Sequence, residues 1–125
     1  MLTSSKATEQ RGIVILVDDD ADVRTSIEEL LEEQGYVVLS ARDGSAALRR
    51  MRGVHGPVVA VVDLTMPGMD GWDLIKRMKT DPELARIPII VCTARQLAGV
   101  LGADAIVRKP FSTGALLGLV EKHCR

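Results

Sequence analysis

Aromatic side chains are almost missing. The 125 residues hold one Tyr, one Trp and one Phe (Tyr36, Trp72, Phe111), too few to form a platform on which bases could stack. An excess of charge of either sign is missing too. Lys and Arg number 16 against 17 Asp and Glu, a net charge of -1 with no basic block, so nucleic acid is not an expected partner. Cysteine is scarce: Cys92 and Cys124 show no metal-ligand spacing, and Cys92, inside an apolar strand, reads as a small core residue. A reduced, cytoplasmic setting is the default expectation. No apolar run approaches a membrane span, and residues 1–12 are too polar for a signal peptide, so no membrane contact is expected. Residues 1–10 read as a flexible leader and 11–125 as one domain, with no output module in this chain.

What the chain does have is a series of short apolar runs, each ending on a polar group. Ile13-Val14-Ile15-Leu16-Val17 runs into Asp18, Asp19 and Asp20. Val58-Val59-Ala60-Val61-Val62 ends on Asp63, Ile89-Ile90-Val91-Cys92 on Thr93, and Ala105-Ile106-Val107 on Arg108 and Lys109. Strands apolar on both faces belong to a sheet covered by helices on both sides. In an open parallel sheet the strand C-termini meet at one crevice, where such sheets bind ligands.

Amphipathic stretches alternate with these runs. Strands are expected at about 12–18, 36–40, 58–63, 88–93 and 105–108, and helices at about 22–34, 44–51, 71–80 and 112–123. Asp20 or Asp22 can cap the first helix and Gly35 ends it; Asp70 and Ser112 suit caps of the third and last helices. Apolar positions are Val23, Ile27, Leu30 and Leu31 on one face of the first helix, and Ala46, Ala47, Leu48 and Met51 in the second. The third and last helices turn theirs inward: Leu74, Ile75 and Met78 in the third, and Leu116, Leu117, Leu119 and Val120 in the last. Gly114 and Gly118 weaken that last helix by about 1 kcal/mol each relative to Ala. The alternation implies right-handed crossovers and a doubly wound α/β fold. Between Thr93 and Ala105 there are only eleven residues, with Gly99 and Gly102 among them, so a helix there has one or two turns at most.

Adjacent carboxylates gathered at one crevice repel unless a cation neutralises them. Mg²⁺ suits the set, because it takes oxygen ligands and uses one or two carboxylates plus a phosphate. Asp63, alone at a buried strand's tip, is the natural nucleophile, since an aspartate can attack phosphorus and carry the group as an acyl phosphate. The Lys109 ammonium and the Thr93 hydroxyl can hold the phosphoryl oxygens. Asp22, His55 and His123 read as surface residues. Trp72 reads as packing against the neighbours of the third helix, and Met66 and Met69 as shaping the loop before it.

Four segments together resemble the receiver domain of two-component response regulators. They are Ile15-Leu16-Val17-Asp18-Asp19-Asp20, Val62-Asp63-Leu64-Thr65-Met66-Pro67-Gly68-Met69-Asp70-Gly71, Cys92-Thr93-Ala94 and Lys109-Pro110-Phe111. The resemblance implies five parallel strands in order 2-1-3-4-5 with five helices, a chemotaxis-receiver-like, flavodoxin-like fold, here with a shortened fourth helix. It implies that Asp63 is phosphorylated by a sensor histidine kinase or a phosphotransfer protein, and that a downstream protein target reads the signal. Mg²⁺ would be held by Asp63, by Asp19 directly, by Asp18 mainly through water, and by the backbone carbonyl of Thr65. Thr93 and Lys109 would hold the phosphoryl group, and the Lys109-Pro110 peptide would be cis. No enzymatic activity beyond self-catalysed phosphotransfer and autodephosphorylation is implied.

Two departures from the family pattern stand out. Ile106 occupies the position of an aromatic that swings with the threonine on activation, and the fourth helix is short. Thr65 and Arg95 fall where residues flank the phosphoryl group and tune its hydrolysis. Three rival readings exist. Asp18-x-Asp20 mimics the opening motif of haloacid-dehalogenase-type phosphatases, with Asp18 as nucleophile. Asp18-x-Asp20-x-Asp22 mimics a calcium loop, although Val23 stands where the loop needs Gly. A receiver-like interaction module working without phosphorylation is the third.

Overall fold

The computed structural model describes residues 11–64, 71–94 and 102–124. Five strands form one parallel sheet: β1 (Gly12–Val17), β2 (Tyr36–Ala41), β3 (Val58–Asp63), β4 (Ile89–Thr93) and β5 (Ala105–Arg108), in the order β2-β1-β3-β4-β5. Among the described residues there are four helices: α1 (Ala21–Glu33), α2 (Gly44–Met51), α3 (Gly71–Thr80) and α4 (Thr113–His123). This is the doubly wound, flavodoxin-like arrangement expected from the sequence. The short helix expected after Thr93 and the expected five-helix total concern residues 95–101, which lie outside the described residues. So do the leader 1–10 and the loop 65–70 with Thr65, Met66, Met69 and Asp70.

Side chains alternate across each strand, so the central strands feed two separate cores. Ile15, Val17, Ala60, Val62, Ile89 and Val91 pack on one face with Ala47 and Met51 of α2 and Leu74, Ile75 and Met78 of α3. Val14, Leu16, Val59, Val61, Ile90 and Cys92 pack on the other face with Ile27 and Leu31 of α1 and Leu116 and Val120 of α4. Each fully buried aliphatic side chain stabilises the fold by roughly 1.5–3 kcal/mol. Double-sided burial explains why β1, β3 and β4 lack the polar alternation of a half-exposed strand. The edge strands β2 and β5 keep half-exposed positions.

Local chemistry sets the helix starts. Asp20 caps α1 by accepting hydrogen bonds from the backbone N–H groups of Asp22 (3.0 Å) and Val23 (3.2 Å). Asp43 caps α2 through Ala46 N–H at 2.8 Å, and Ser112 caps α4 through Ala115 N–H at 3.1 Å. Each such cap contributes about 1 kcal/mol. Among the two candidates for the first cap, the side chain of Asp20 takes the role.

Three sequence expectations need correction. Trp72 is 43% exposed rather than packed, because it falls on the outer face of α3 while Leu74, Ile75 and Met78 take the inner one. Leu117 and Leu119 are only partly buried: α4 meets the sheet through the narrower Leu116–Val120 stripe. His123 is half-buried rather than a surface residue, whereas His55 is exposed as expected.

Candidate functional site

The C-terminal ends of β1, β3, β4 and β5 bring their polar residues to one rim. Register explains the convergence. Val17, the last residue of β1, pairs with Val62, one residue before Asp63. Asp63 pairs with Cys92, one residue before Thr93, and Thr93 pairs with Arg108, one residue before Lys109. Each functional side chain therefore emerges within one residue of the same level of the sheet.

Asp18, Asp19 and Asp63 each direct a carboxylate oxygen into one cluster, with the three oxygens within 4.8 Å of one another. Their surroundings differ. Asp18 is 3% exposed, Asp63 half-buried and Asp19 exposed. Asp18 is held from all sides: Oδ1 accepts from the N–H of Asp20 at 2.9 Å, and Oδ2 accepts from Lys109 Nζ at 3.1 Å. Its own N–H donates to the carbonyl of Ala41 at 3.1 Å, and its carbonyl accepts from Arg24 Nη1 at 2.7 Å. Arg24 escaped the sequence reading. It sits on the polar side of α1, where an arginine looks like solvated surface, and its spacing from Asp18, six residues across a helix start, was the available signal.

Lys109 bridges the carboxylates, with Nζ 3.7 Å from Asp63 Oδ2 as well as 3.1 Å from Asp18. Burial pulls the Lys109 ammonium toward its neutral form, but the charges of Asp18 and Asp63 and the hydrogen bond to Asp18 outweigh it. Its pKa lies above the ordinary lysine value, so the bridge is cationic throughout the physiological range. The stabilisation it supplies is present below the unfolded-state lysine pKa and is lost only as pH rises through the higher folded-state one. The backbone N–H of Lys109 donates to the carbonyl of Thr93 at 2.7 Å, and the Lys109-Pro110 peptide is cis. Thr93 is 2% exposed at the end of β4. Behind it, Cys92 is a core residue, its thiol pushed up to about 12 mainly by burial and so chemically quiet at neutral pH.

Gly71 has a steric role at this rim. A Cβ there would lie 2.4 Å from the carbonyl oxygen of Asp63 and 2.6 Å from Cα of Leu64, so only glycine lets α3 start against the end of β3. The Gly71 N–H donates to the carbonyl of Leu64 at 3.1 Å, fastening that start.

Oxygen donors gathered without nitrogen or sulfur fit a hard divalent cation such as Mg²⁺. The same geometry disfavours two rivals. Asp18 is buried, with a hydrogen bond on each carboxylate oxygen, which suits a nucleophile less well than the more open Asp63 does. The side chain of Asp20 is committed to capping α1 and lies outside the three-oxygen cluster, which does not suit a calcium loop.

A family model described as the response regulator receiver domain matches residues 14–121. The chain belongs to this family. This receiver domain is 30% identical over 116 residues to Protein PilG of Pseudomonas aeruginosa, an alignment covering 88% of the chain and 85% of PilG. It is 36% identical over 122 residues to the probable transcriptional regulator ycf27 of Porphyridium aerugineum, covering 93% of the chain and 49% of that protein. It therefore spans most of one relative and about half of the other. Among solved structures, the receiver domain of sensor histidine kinase PA1611 from Pseudomonas aeruginosa PAO1 aligns with a TM-score of 0.80 and 27% identity. That alignment covers 89% of this chain and 95% of the other, which holds a magnesium ion coordinated in its active site cleft. No helix among the described residues of this receiver domain is long and apolar enough to cross a membrane.

Proposed function

We propose that this receiver domain is a phosphorylation-operated switch of a two-component system, with Asp63 as phosphoacceptor and Mg²⁺ as cofactor. The observation that carries the reading is the three-carboxylate cluster of Asp18, Asp19 and Asp63 with Lys109 bridging two of its members. Asp18, Asp19 and Asp63 would hold the ion, with the backbone carbonyl of Thr65 as a further ligand. When bound, Mg²⁺ neutralises the crowded carboxylates and the charge that develops on the phosphoryl oxygens.

The donor is a phosphohistidine of a sensor histidine kinase or a phosphotransfer protein. A carboxylate oxygen of Asp63 attacks phosphorus, the N–P bond breaks, and its electron pair returns to the imidazole nitrogen. Lys109 is already aimed at Asp63, and its ammonium follows the negative charge from the carboxylate to the new phosphoryl group. The Thr93 hydroxyl donates to a phosphoryl oxygen. Water later attacks phosphorus, releasing inorganic phosphate and restoring the carboxylate. The chain turns over no other substrate and is not an enzyme in that wider sense. The phosphorylated conformer is recognised by a downstream protein in the cytoplasm, without nucleic acid or membrane.

Ile106 supports a second reading of the output. It is 39% exposed on the edge strand β5, so no aromatic side chain there couples the rim to the surface. Signalling through surface contacts that hardly depend on phosphorylation remains the alternative on that ground.

Intact mass spectrometry after treatment with acetyl phosphate and Mg²⁺ tests the main reading. The wild-type protein gains one phosphoryl group, mapped to Asp63, and Asp63→Asn gains none. An unlabelled wild-type protein, or a label mapped elsewhere, removes the proposal.

A further inference from the structure

Beside the acidic rim, on the other side of Arg24, lies a cavity of about 530 Å³ between α1, the end of β2 and α2. Its charge is opposite to that of the rim. Arg24, Arg42, Arg49 and Arg50 all line it, against the single carboxylate of Glu28. That carboxylate is already engaged, accepting a hydrogen bond from the Ser40 hydroxyl across to β2. Arg42 has only a loose contact with Asp43 at 4.0 Å, and among the described residues neither Arg49 nor Arg50 has an ion-pair partner. The lining thus carries a net of three positive charges, with Asp43 beside Arg42 as a further carboxylate just outside it, in a chain whose overall charge is -1.

We infer that this cavity is a binding site for a compact polyanion of the oligophosphate class. Guanidinium groups pair bidentately with phosphate oxygens, and four of them around one concavity can hold more than one phosphoryl group at once. The volume lies within the range of small-ligand sites. The lining has no aromatic ring, so recognition rests on the phosphate chain rather than on a base. An oligophosphate carries the matching charge in the smallest volume, which is why it fits better than a bulkier polycarboxylate. The site adjoins the phosphoacceptor rim through Arg24, whose Nη1 donates to the Asp18 carbonyl, but Arg42, Arg49 and Arg50 belong to the β2–α2 link and α2 and are no part of that rim.

Calorimetric titration of the whole chain with tripolyphosphate, in metal-free buffer at low ionic strength, tests the inference. Without metal the carboxylate rim repels the probe, and amide NMR locates it. The expected result is one-site binding, with shifted amides at 40–50. Affinity falls at least tenfold in the Arg49→Ala/Arg50→Ala double variant and drops with added salt. The double variant, altered only at exposed positions, still takes up the phosphoryl group from acetyl phosphate with Mg²⁺. Absence of binding, unchanged affinity in the double variant, or shifts centred on Lys109 overturn the site. Equal affinity for citrate overturns the assignment to oligophosphate.

Discussion

Lys109 and Arg52 look alike on paper, since each sets one cation between two carboxylates. Lys109 Nζ stands 3.1 Å from Asp18 and 3.7 Å from Asp63, while Arg52 reaches Asp81 at 2.8 Å and Glu83 at 3.3 Å. Water makes the difference. The side chains of Asp18 and Lys109 are 4% and 25% exposed, whereas those of Arg52 and Glu83 are each 53% exposed. Solvent screens the Arg52 cluster, so it can do little more than fasten the end of α2 to the 81–83 turn. At the rim the lower local dielectric strengthens attraction and repulsion alike. Adding or removing one charge there is felt by every neighbour.

Removing the central cation separates the two clusters most sharply. Lys109→Ala removes the cation that bridges Asp18 and Asp63, and labelling by acetyl phosphate falls by on the order of tenfold or more. In metal-free buffer the same variant loses about 1–2 kcal/mol in urea unfolding, less than for a fully buried pair, since Lys109 keeps some solvent. Added Mg²⁺ restores that stability, as a cation in the cluster must. An unchanged unfolding midpoint would place the bridge with the inert surface pairs.

Asp18→Asn has a smaller effect. It keeps the acceptor at Asp63 while weakening metal binding, so labelling slows without vanishing. Labelling that survives Asp63→Asn but is lost in Asp18→Asn would instead mark Asp18 as the nucleophile.

A smaller structural change is expected at Ile106. Crystal structures of the free and phosphate-analogue-bound protein should show little movement in β5 and α4. A large side-chain swing at Ile106 contradicts this.

The smallest effect belongs to Arg52→Ala. The melting temperature barely moves at neutral pH. Arg52, followed by the N–H of Glu83, holds the Asp81 carboxyl below the usual carboxylate range. A lowered folded-state pKa gives stability that is present above the unfolded pKa and lost as pH falls through the folded one. The small difference between wild type and variant therefore fades on acidification. A large neutral-pH difference would show that the turn depends on this contact more than its exposure implies.

Legibility followed the range of the forces involved. The apolar runs announced doubly covered strands, because burial on both faces excludes polar alternation. Asp18, Asp19, Asp63, Thr93 and Lys109 were readable because each ends or directly follows such a run, and strand ends in a parallel sheet must share a rim. Arg24 was not readable as a partner of the Asp18 carbonyl, since a polar helix position gives no sign of what it reaches. Gly71 stood out only as the end of the motif that begins at Val62, and the 2.4 Å approach to the Asp63 carbonyl appears only once α3 is set against β3. Trp72 was misread because a large aromatic is usually buried, and the helix phase that turned it outward was set by Leu74 and Ile75.

Periodicity and residue type along the chain were enough to determine the strand and helix succession, the sheet class and which polar residues stand at the strand ends, because those depend on near neighbours and on hydrophobic burial. Tertiary structure alone decided which carboxylate is buried and which exposed, that Lys109 spans Asp18 and Asp63, and that four arginines from α1, the β2–α2 link and α2 face one cavity. Those outcomes depend on distances between residues far apart in sequence, and such distances exist only after the sheet has closed its register.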